Sequence, residues 1–478
     1  MVASVRGVAL ALMMSAGAGF ASAQTPSAQP PSTQAPAIGA FNRTGSETER
    51  HQQAAAAATW GIAVCSGLWS GGQSMAMITR DAGPRAGQPP MDTKIDEAAK
   101  TVSVAYDEEM PPRFVVWRPV LGCTQLPPGA SLDAAKNLPQ VDPSVKLPNY
   151  DDQKWPMGDK DATARLPKAK QDALNKLVDA AFDGTTYAGR TWGVIVVSDG
   201  KIVAEKYAMD FGPHTGAQTH SAAKSFAGTL AGIAKKRFGF DVAKAPALSE
   251  WARAGDPRGA ISVEHLLQMR SGLYGEGNGS PQMDIYSAGE TVAGRAATNM
   301  LDTKPGTRFL YNPPDTMLLM RSIRQAVNND KTFWAMPWTE LFWKIGMTRT
   351  VTSSDWNGDF LMSGQTYSTA RDFARFGLFY LNDGVWNGER ILPEGWAKYV
   401  TTPGPVQPGG NGARYGGQIW IYTGMDGLPE AFSPNGGQGQ FAMTIPSAKV
   451  VVVRRGYDAG GTFRITKFSA DVLKALGK

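Results

Sequence analysis

The chain has 478 residues, which is too long for one small domain and predicts two or three. Its net charge of +6 comes from Lys and Arg residues that are scattered singly, so binding to nucleic acid is not expected. The four histidines show no ligand spacing such as HExxH, which argues against a zinc site, and we predict no metal.

The N-terminal stretch, residues 1–23, has the layout of a secretory signal peptide. It carries Arg6, an apolar run from about Val8, and the sequence Ala-Ser-Ala before Gln24. A membrane anchor is the alternative, but the run is short and interrupted by glycine, and no later segment is apolar enough to span a bilayer. We expect a periplasmic or secreted protein without a transmembrane segment after cleavage. Residues 24–54, rich in Pro, Ser, Gln and Ala, are predicted to be a disordered tether.

Residues 55–150 are predicted to form a small N-terminal domain. The segments "KTVSVAYD" and "RFVVWRPVLGC" alternate in the manner of β-strands. This region contains both cysteines, Cys65 and Cys123. In an exported chain an even number of cysteines favours a disulfide, although two buried thiols that never meet remain the alternative.

Residues 160–478 are predicted to form the main domain. A helix, "LPKAKQDALNKLVDAAFDG", comes first and is followed by a hairpin around Asp199-Gly200. The chain is then mostly helical from Ser221 to about Asn382, before three short strands and a final helix. This order predicts an α+β fold: an antiparallel β-sheet flanked by helices, with a large, mainly helical insertion.

The segment "QTHSAAKSFAG" places Lys224 three residues after Ser221. In a helix these positions share one side, and a buried, neutral amine could take the proton of the serine. The pattern is weak alone, since "SDGK" (198–201) also fits it, but there it lies on the hairpin turn, where we do not expect residues three apart to share a face. The chain has no GxSxG motif, and His220 is adjacent to Ser221, so a Ser-His-Asp triad is the weaker mechanism.

Four later segments support the mechanism in which Lys224 takes the proton of Ser221. They are "ISVEHLLQMRSGL" (261–273), "KPGTRFLYNPPDTMLL" (304–319), "STARDFARFGLFYLNDGVWNGERILPEGW" (368–396) and "NGGQGQF" (435–441). In this order they resemble the serine β-lactamase and penicillin-recognising superfamily, in particular its class C-like branch of esterases and 6-aminohexanoate-dimer hydrolases. The resemblance extends over about two thirds of the chain, from about Leu166 to the end, and agrees with the predicted fold class.

The resemblance implies roles for individual residues. Ser221 would be the nucleophile, Lys224 its base partner and Tyr311 a second proton-transfer group. The backbone N–H groups of Ser221 and Gly437 would form the oxyanion hole. No cofactor is implied.

Four further residues are predicted, on weaker grounds, to contact substrate: Tyr274, Asn312, Gly436 and Gln438. Tyr274 opens the loop "YGEGNGSPQMDIY" (274–286), which either shapes the pocket or is an ordinary surface loop.

Two departures from the family pattern bear on the substrate. β-Lactamases and D,D-peptidases usually have Tyr-x-Asn or Ser-x-Asn as the second motif, and here Pro313 takes the place of the Asn. The third motif, in "AFSPNGGQGQF", lacks the usual Lys or His that helps to hold the substrate carboxylate. We therefore expect an exported serine hydrolase that cleaves small esters or linear amides through an acyl-enzyme. A β-lactamase or D,D-peptidase, or a catalytically silent periplasmic binding protein, is the alternative; the oligomeric state is not predicted.

Overall fold

The computed structural model describes residues 47–83, 91–246, 248–275, 283–410, 412–458 and 463–478. The predicted signal peptide and residues 24–46 of the predicted tether lie outside this part. The tether prediction is wrong for residues 47–54, because the first helix already begins at Glu47. The alanines that suggested a tether are strong helix formers, and Ala54 is buried against the rest of the protein.

The α-helices, in chain order, are α1 (Glu47–Cys65), α2 (Met75–Ala82), α3 (Lys168–Ala180), α4 (Ala223–Phe238), α5 (Val263–Leu267), α6 (Met283–Ser287), α7 (Pro313–Val327), α8 (Asp330–Met336), α9 (Ala370–Leu381), α10 (Trp396–Val400) and α11 (Ile465–Leu476). Among the described residues, none of these helices has both the length and the apolar character that a membrane span needs.

The first strands are β1 (Thr93–Asp96), β2 (Thr101–Val104), β3 (Arg113–Arg118), β4 (Gly122–Gln125), β5 (Thr191–Ser198), β6 (Lys201–Tyr207), β7 (Ala217–Gln218), β8 (Val351–Thr352) and β9 (Thr366–Ser368). The remaining strands are β10 (Val385–Trp386), β11 (Glu389–Arg390), β12 (Arg414–Tyr415), β13 (Trp420–Tyr422), β14 (Ala431–Ser433), β15 (Asn435–Gly436), β16 (Gln440–Ile445) and β17 (Val450–Gly456).

The N-terminal sheet consists of β1–β4 in sequential antiparallel order, and α1 packs across it. Val102, Val104 and Val115 on the strands and Val64 on the helix are fully buried in its apolar cluster. Cys65, at the end of α1, forms a disulfide with Cys123 on β4, which confirms that prediction. These elements belong to the same compact unit as the rest of residues 46–478, and the domain boundary at residue 150 stays a prediction.

The central sheet has the strand order β12-β13-β14-β16-β17-β5-β6, with β15 paired to β16. Every residue of β5 is buried because helices cover both faces of the sheet. Ile195 and Val197 point to the side of α9, whereas Val194 and Val196 point to the side of α3 and α11. The helices between β6 and β12 are the predicted insertion, and the α+β fold class is confirmed.

The β5–β6 hairpin turns at Asp199-Gly200, as predicted, with both residues at positive φ (48° and 82°). The second Ser-x-x-Lys match lies across this turn. Ser198 and Lys201 are register partners, so the expectation that they do not share a face is wrong. They are nevertheless not bonded to each other: the Ser198 hydroxyl donates to Asp199, and the exposed Lys201 ammonium donates to the carbonyl of Asp161.

Candidate active site

Ser221 lies on a single 3-10 turn, His220–Ala222, that leads directly into α4. His220 has a φ of 47°, a left-handed conformation that costs free energy for a residue with a side chain. Such strain is concentrated at functional sites, where the surrounding structure holds it. The sharp turn leaves Ser221 half-buried at the start of a buried helix.

Lys224 is buried because α4 is made of small residues that other elements approach closely. Its side chain is 1% exposed. A Cβ atom at Gly232, two turns further along, would lie 2.5 Å from the indole of Trp396, so glycine is required at that contact. The helix ends at Gly239, whose φ of 67° is typical of a helix C-terminus.

The Nζ atom of Lys224 lies 3.1 Å from the Oγ atom of Ser221. It also donates a hydrogen bond of 2.7 Å to the carbonyl oxygen of Ser363. Burial lowers the pKa of Lys224 to about 7, and the charge of Asp315 opposes this shift. A large fraction of the amine is therefore neutral near neutral pH and able to accept the serine proton.

Tyr311 lies two residues before the start of α7. Its ring centroid is 4.9 Å from the Lys224 Nζ atom. Burial raises the pKa of Tyr311 to about 12, against the effect of hydrogen bonds with Ser221 and Trp420. The structure thus brings Ser221, Lys224 and Tyr311 together, as the sequence predicts.

Asp315, on the first turn of α7, is a functional group that the sequence analysis did not single out. It is fully buried, and the Ser271 hydroxyl and the Asn312 side-chain amide both donate to its carboxylate. Burial raises its pKa to about 7, while these hydrogen bonds and the charge of Lys224 lower it. The only signal in the sequence was its position four residues after Tyr311.

The glycine-rich third motif passes beside the turn that carries Ser221. A Cβ atom at Gly436 would lie 2.0 Å from the carbonyl oxygen of Thr219, so β15 is in direct backbone contact with this turn. The next residue, Gly437, is exposed and faces His220, and Gln438 has a φ of 62°. Residues with positive φ therefore occur in both of the segments that meet here, at His220 and at Gln438.

The other predicted substrate contacts lie in different settings. Asn312 is 1% exposed, and its side chain is held between Asp315 and Gly275 rather than open to solvent. The described hydrogen bonds of Tyr274 are made by its backbone, with Met300 and Asn299. Residues 276–282 of the loop that follows Tyr274 lie outside the described part.

The cationic side chain of Arg455, near the third motif, forms all its described hydrogen bonds with groups of the protein itself. The guanidinium of Arg455 is buried and donates to the carbonyls of Ala217 and Ser368 and to the side chain of Gln440. Burial and the charge of Arg455 lower the pKa of His220 to about 4, so this ring is neutral. Neither Arg455 nor His220 is therefore a free cation for a substrate carboxylate, which agrees with the motif's lack of Lys and His.

Tyr286 and Ser363 complete the buried side of the site. Tyr286 is the last residue of the loop 274–286, for which shaping the pocket was one of the two predicted roles, and Ser363 was given no role. The hydroxyl groups of Tyr286 and Ser363 are hydrogen-bonded to each other. Tyr286 comes from α6 and Ser363 from the segment before β9, far apart in the chain. No motif marks either residue, so only the fold reveals this contact.

A separate cluster of Asp151, Asp159 and His214 groups possible metal-ligand atoms within 4.8 Å of one another. Arg375 donates to Asp159, and Arg349 binds both oxygens of Asp151. These arginines already supply the positive charge that a metal ion would bring, so the cluster is an ion-pair network.

Comparison with known proteins assigns the family. The sequence model named Beta-lactamase matches residues 175–454, more than half of the chain. The chain belongs to the Beta-lactamase family. This confirms the predicted resemblance to that superfamily.

The proteins that this chain resembles are named for different activities. A 6-aminohexanoate-dimer hydrolase of Paenarthrobacter ureafaciens is 25% identical over 267 residues, which cover 51% of this chain and 65% of that protein. A family VIII carboxylesterase has a TM-score of 0.52 at 16% identity, covering 64% of this chain and 96% of its own. A class C β-lactamase has a TM-score of 0.50 at 12% identity, covering 64% and 96%. The two structural likenesses show the fold, and the chain spans less than two thirds of the curated relative.

Proposed function

We propose that this member of the Beta-lactamase family is an exported serine hydrolase that cleaves small esters or linear amides through an acyl-enzyme on Ser221. One observation carries the proposal: the buried Lys224 amine lies 3.1 Å from the Ser221 hydroxyl. Serine needs a base to become a nucleophile, and a lysine whose pKa burial has lowered can serve as one.

In the acylation step the Oγ atom of Ser221 bonds to the substrate carbonyl carbon while its proton passes to the Lys224 amine. The resulting tetrahedral oxyanion collapses, and the bond from carbon to the leaving oxygen or nitrogen breaks. Tyr311, whose ring centroid is 4.9 Å from the Lys224 Nζ atom, passes a proton from Lys224 to the leaving group. In deacylation water attacks the ester carbonyl, the same groups carry its proton to Ser221, and the acid is released.

The oxyanion would be held by backbone N–H groups of Ser221 and Gly437. Ser221 precedes α4, where the first N–H groups of a helix lack intrahelical partners. The close contact between Gly436 and Thr219 keeps the third motif beside this turn. Donors fixed in place before the reaction stabilise the developing charge without a cost of reorganisation.

The preference for esters and linear amides over β-lactams is supported by the residues of the third motif and by the named relatives. Asn435 and Gln438, both neutral amides, stand where a cation would otherwise hold a carboxylate, and Tyr311 and Trp420 provide an aromatic wall. The curated relative is named for hydrolysis of a linear amide dimer, and one structural neighbour is a carboxylesterase.

Export is supported by two features. Residues 1–23 have the pattern of a signal peptide, and the Cys65–Cys123 disulfide is of a kind that persists in oxidising compartments. We therefore propose a periplasmic or extracellular location.

A fluorophosphonate probe, which reacts with activated serines, tests the mechanism. The wild-type protein is expected to be labelled, and Ser221→Ala is expected to abolish both labelling and hydrolysis of p-nitrophenyl butyrate. Ser198→Ala is the matched control, since it removes the serine of the other Ser-x-x-Lys match and should leave both intact. A folded wild-type protein that is never labelled would instead support a binding protein.

A substrate panel tests the specificity. We expect p-nitrophenyl esters and 6-aminohexanoate dimer to be hydrolysed faster than a chromogenic cephalosporin. Cephalosporin turnover well above ester cleavage would replace the proposal with a β-lactamase.

A further inference from the structure

The N-terminal sheet makes direct contacts with α6, the short helix that carries Tyr286. The side-chain amide of Gln125, at the end of β4, donates a hydrogen bond of 2.6 Å to the carbonyl oxygen of Tyr286. Arg113 on β3 donates to the next carbonyl, that of Ser287. Gln125 is 9% and Arg113 is 1% exposed, so both contacts are made in the protein interior, where an unpaired donor is costly.

Gln125 is also tied to the disulfide. It lies two residues after Cys123 on the same strand, and residues two apart in a strand point to the same face. Its amide also donates to the carbonyl of Ala58 on α1, the helix that ends in Cys65. The disulfide joins α1 to β4, and both elements therefore fix the position of the Gln125 amide, which donates a hydrogen bond to Tyr286 on α6.

From α6 the contacts continue to the proposed base. The Tyr286 hydroxyl bonds to the Ser363 hydroxyl, and the Ser363 carbonyl accepts the hydrogen bond of Lys224. Four contacts thus connect Gln125 to the Oγ atom of Ser221, and each runs between groups that are at least half-buried.

We infer that the N-terminal sheet is a working part of this site: through Gln125 it holds Tyr286 against Ser363, so that the Ser363 carbonyl orients the amine of Lys224. The inference rests on the proposed function. Tyr286 is then a positioning residue, because it acts through Ser363 and Lys224 rather than on the substrate.

Loss of this support has two expected effects on Lys224. A misdirected lone pair slows proton transfer, since displacement of a catalytic group by ~1 Å can cost ~10²-fold in rate. A weaker bond to the Ser363 carbonyl also removes an acceptor that stabilises the ammonium form, so the pKa of Lys224 should fall. The other groups that act on this amine are Asp315 on α7, Tyr311 before it and His220 beside Ser221.

The test compares four variants of the full chain: Tyr286→Phe, Gln125→Met, their double variant, and Thr124→Val. Phe keeps the ring without the hydroxyl, and Met has nearly the size of Gln without its N–H donors. Thr124 is the matched control, because it is the adjacent buried residue of β4 and bonds to the carbonyl of Ser354 instead of α6. The readouts are kcat/KM for p-nitrophenyl butyrate from pH 5 to 10 and the thermal midpoint.

We expect Tyr286→Phe and Gln125→Met each to lower kcat/KM about tenfold and to move its acidic limb to lower pH. The double variant should lose little more than Tyr286→Phe, since both act through one chain of contacts. Thr124→Val should lower the thermal midpoint without moving the limb. The inference fails if Tyr286→Phe keeps the wild-type limb and rate, or if the two losses multiply. In either case normal labelling of Ser221 in the wild type would show that the proposed function still stands.

Discussion

The Nζ atom of Lys224 lies closer to the carbonyl oxygen of Ser363, at 2.7 Å, than to the Oγ atom of Ser221, at 3.1 Å. A neutral amine has two N–H groups and one lone pair. If one N–H is fixed on Ser363, the lone pair can be directed at the serine hydroxyl. The backbone carbonyl therefore selects the orientation in which Lys224 accepts a proton.

The first prediction concerns the pH dependence of the reaction. Because burial lowers the pKa of Lys224 to about 7, kcat/KM for p-nitrophenyl butyrate should rise with pH through about 7 as the amine loses its proton. Lys224→Met should lower kcat at least ~10³-fold, in line with loss of a general base that activates the nucleophile. A wild-type profile that is flat from pH 5 to 9 would mean that Lys224 is not the base.

The second prediction concerns stability. The folded protein binds the Lys224 proton less tightly than the unfolded chain, in which the pKa is near 10.5, so the free energy of unfolding rises with pH between about 7 and 10.5. Lys224→Met removes this burial cost and should stabilise the protein at pH 6 by roughly 2–4 kcal/mol. Denaturant unfolding at pH 6 and pH 9 measures this. Equal or lower stability of the variant at pH 6 would contradict a buried amine with a lowered pKa.

The sequence alone predicted those features that depend on residues close together in the chain. The hairpin at Asp199-Gly200 and the Ser221–Lys224 pair are short-range features, set by turn preference and by helical spacing. The disulfide followed from the number of cysteines and the expected export. These inferences need only neighbouring residues or a count.

The parts that the sequence did not reveal are contacts between distant segments. Ser363 acts through its backbone carbonyl, which any residue possesses, and Tyr286 meets it only after α6 and the segment before β9 are packed together. The predicted tether was misjudged for a related reason. Its last alanines form a helix that is stabilised by the sheet beneath it, and composition alone does not include that sheet.

The third prediction concerns Asp315. Its negative charge raises the pKa of Lys224, so Asp315→Asn should lower that pKa and move the acidic limb of kcat/KM to lower pH. The asparagine Oδ1 can still accept from Ser271, which bonds to the Asp315 Oδ1 atom at 2.7 Å, so the fold should survive. The pH–rate profile and a thermal melt check this. A limb that does not move would show that the Asp315 carboxyl is protonated over the working range and acts in another way.

The fourth prediction concerns Trp420. Trp420 packs against Tyr311, with the ring centroids 5.4 Å apart, and its side chain lowers the pKa of the Tyr311 phenol, opposing the effect of burial. Trp420→Phe should therefore slow cleavage about tenfold for amides and alkyl esters, whose leaving groups need a proton, and much less for p-nitrophenyl esters. Tyr415→Phe is the control: Tyr415 packs against Tyr311 at 5.7 Å, but its buried hydroxyl has no partner among the described residues. If Trp420→Phe slowed the cleavage of both classes of substrate equally, the role of Trp420 would be limited to packing.

The fifth prediction compares two neighbouring glycines of the third motif. A Cβ atom at Gly436 would lie 2.0 Å from the carbonyl oxygen of Thr219, and neither backbone can move without disturbing the other. Gly436→Ala should therefore push β15 away from the Ser221 turn and lower kcat at least ~10²-fold, the cost of losing one oxyanion donor. At Gly437 the same atom would be 3.8 Å from His220, an ordinary contact, so Gly437→Ala should keep its N–H in place and lose less than tenfold. Labelling by the fluorophosphonate probe and ester hydrolysis, with thermal melts as controls for folding, compare the two variants. If Gly437→Ala proved to be the more damaging substitution, the reaction would require free space at residue 437 rather than a fixed location of its N–H group.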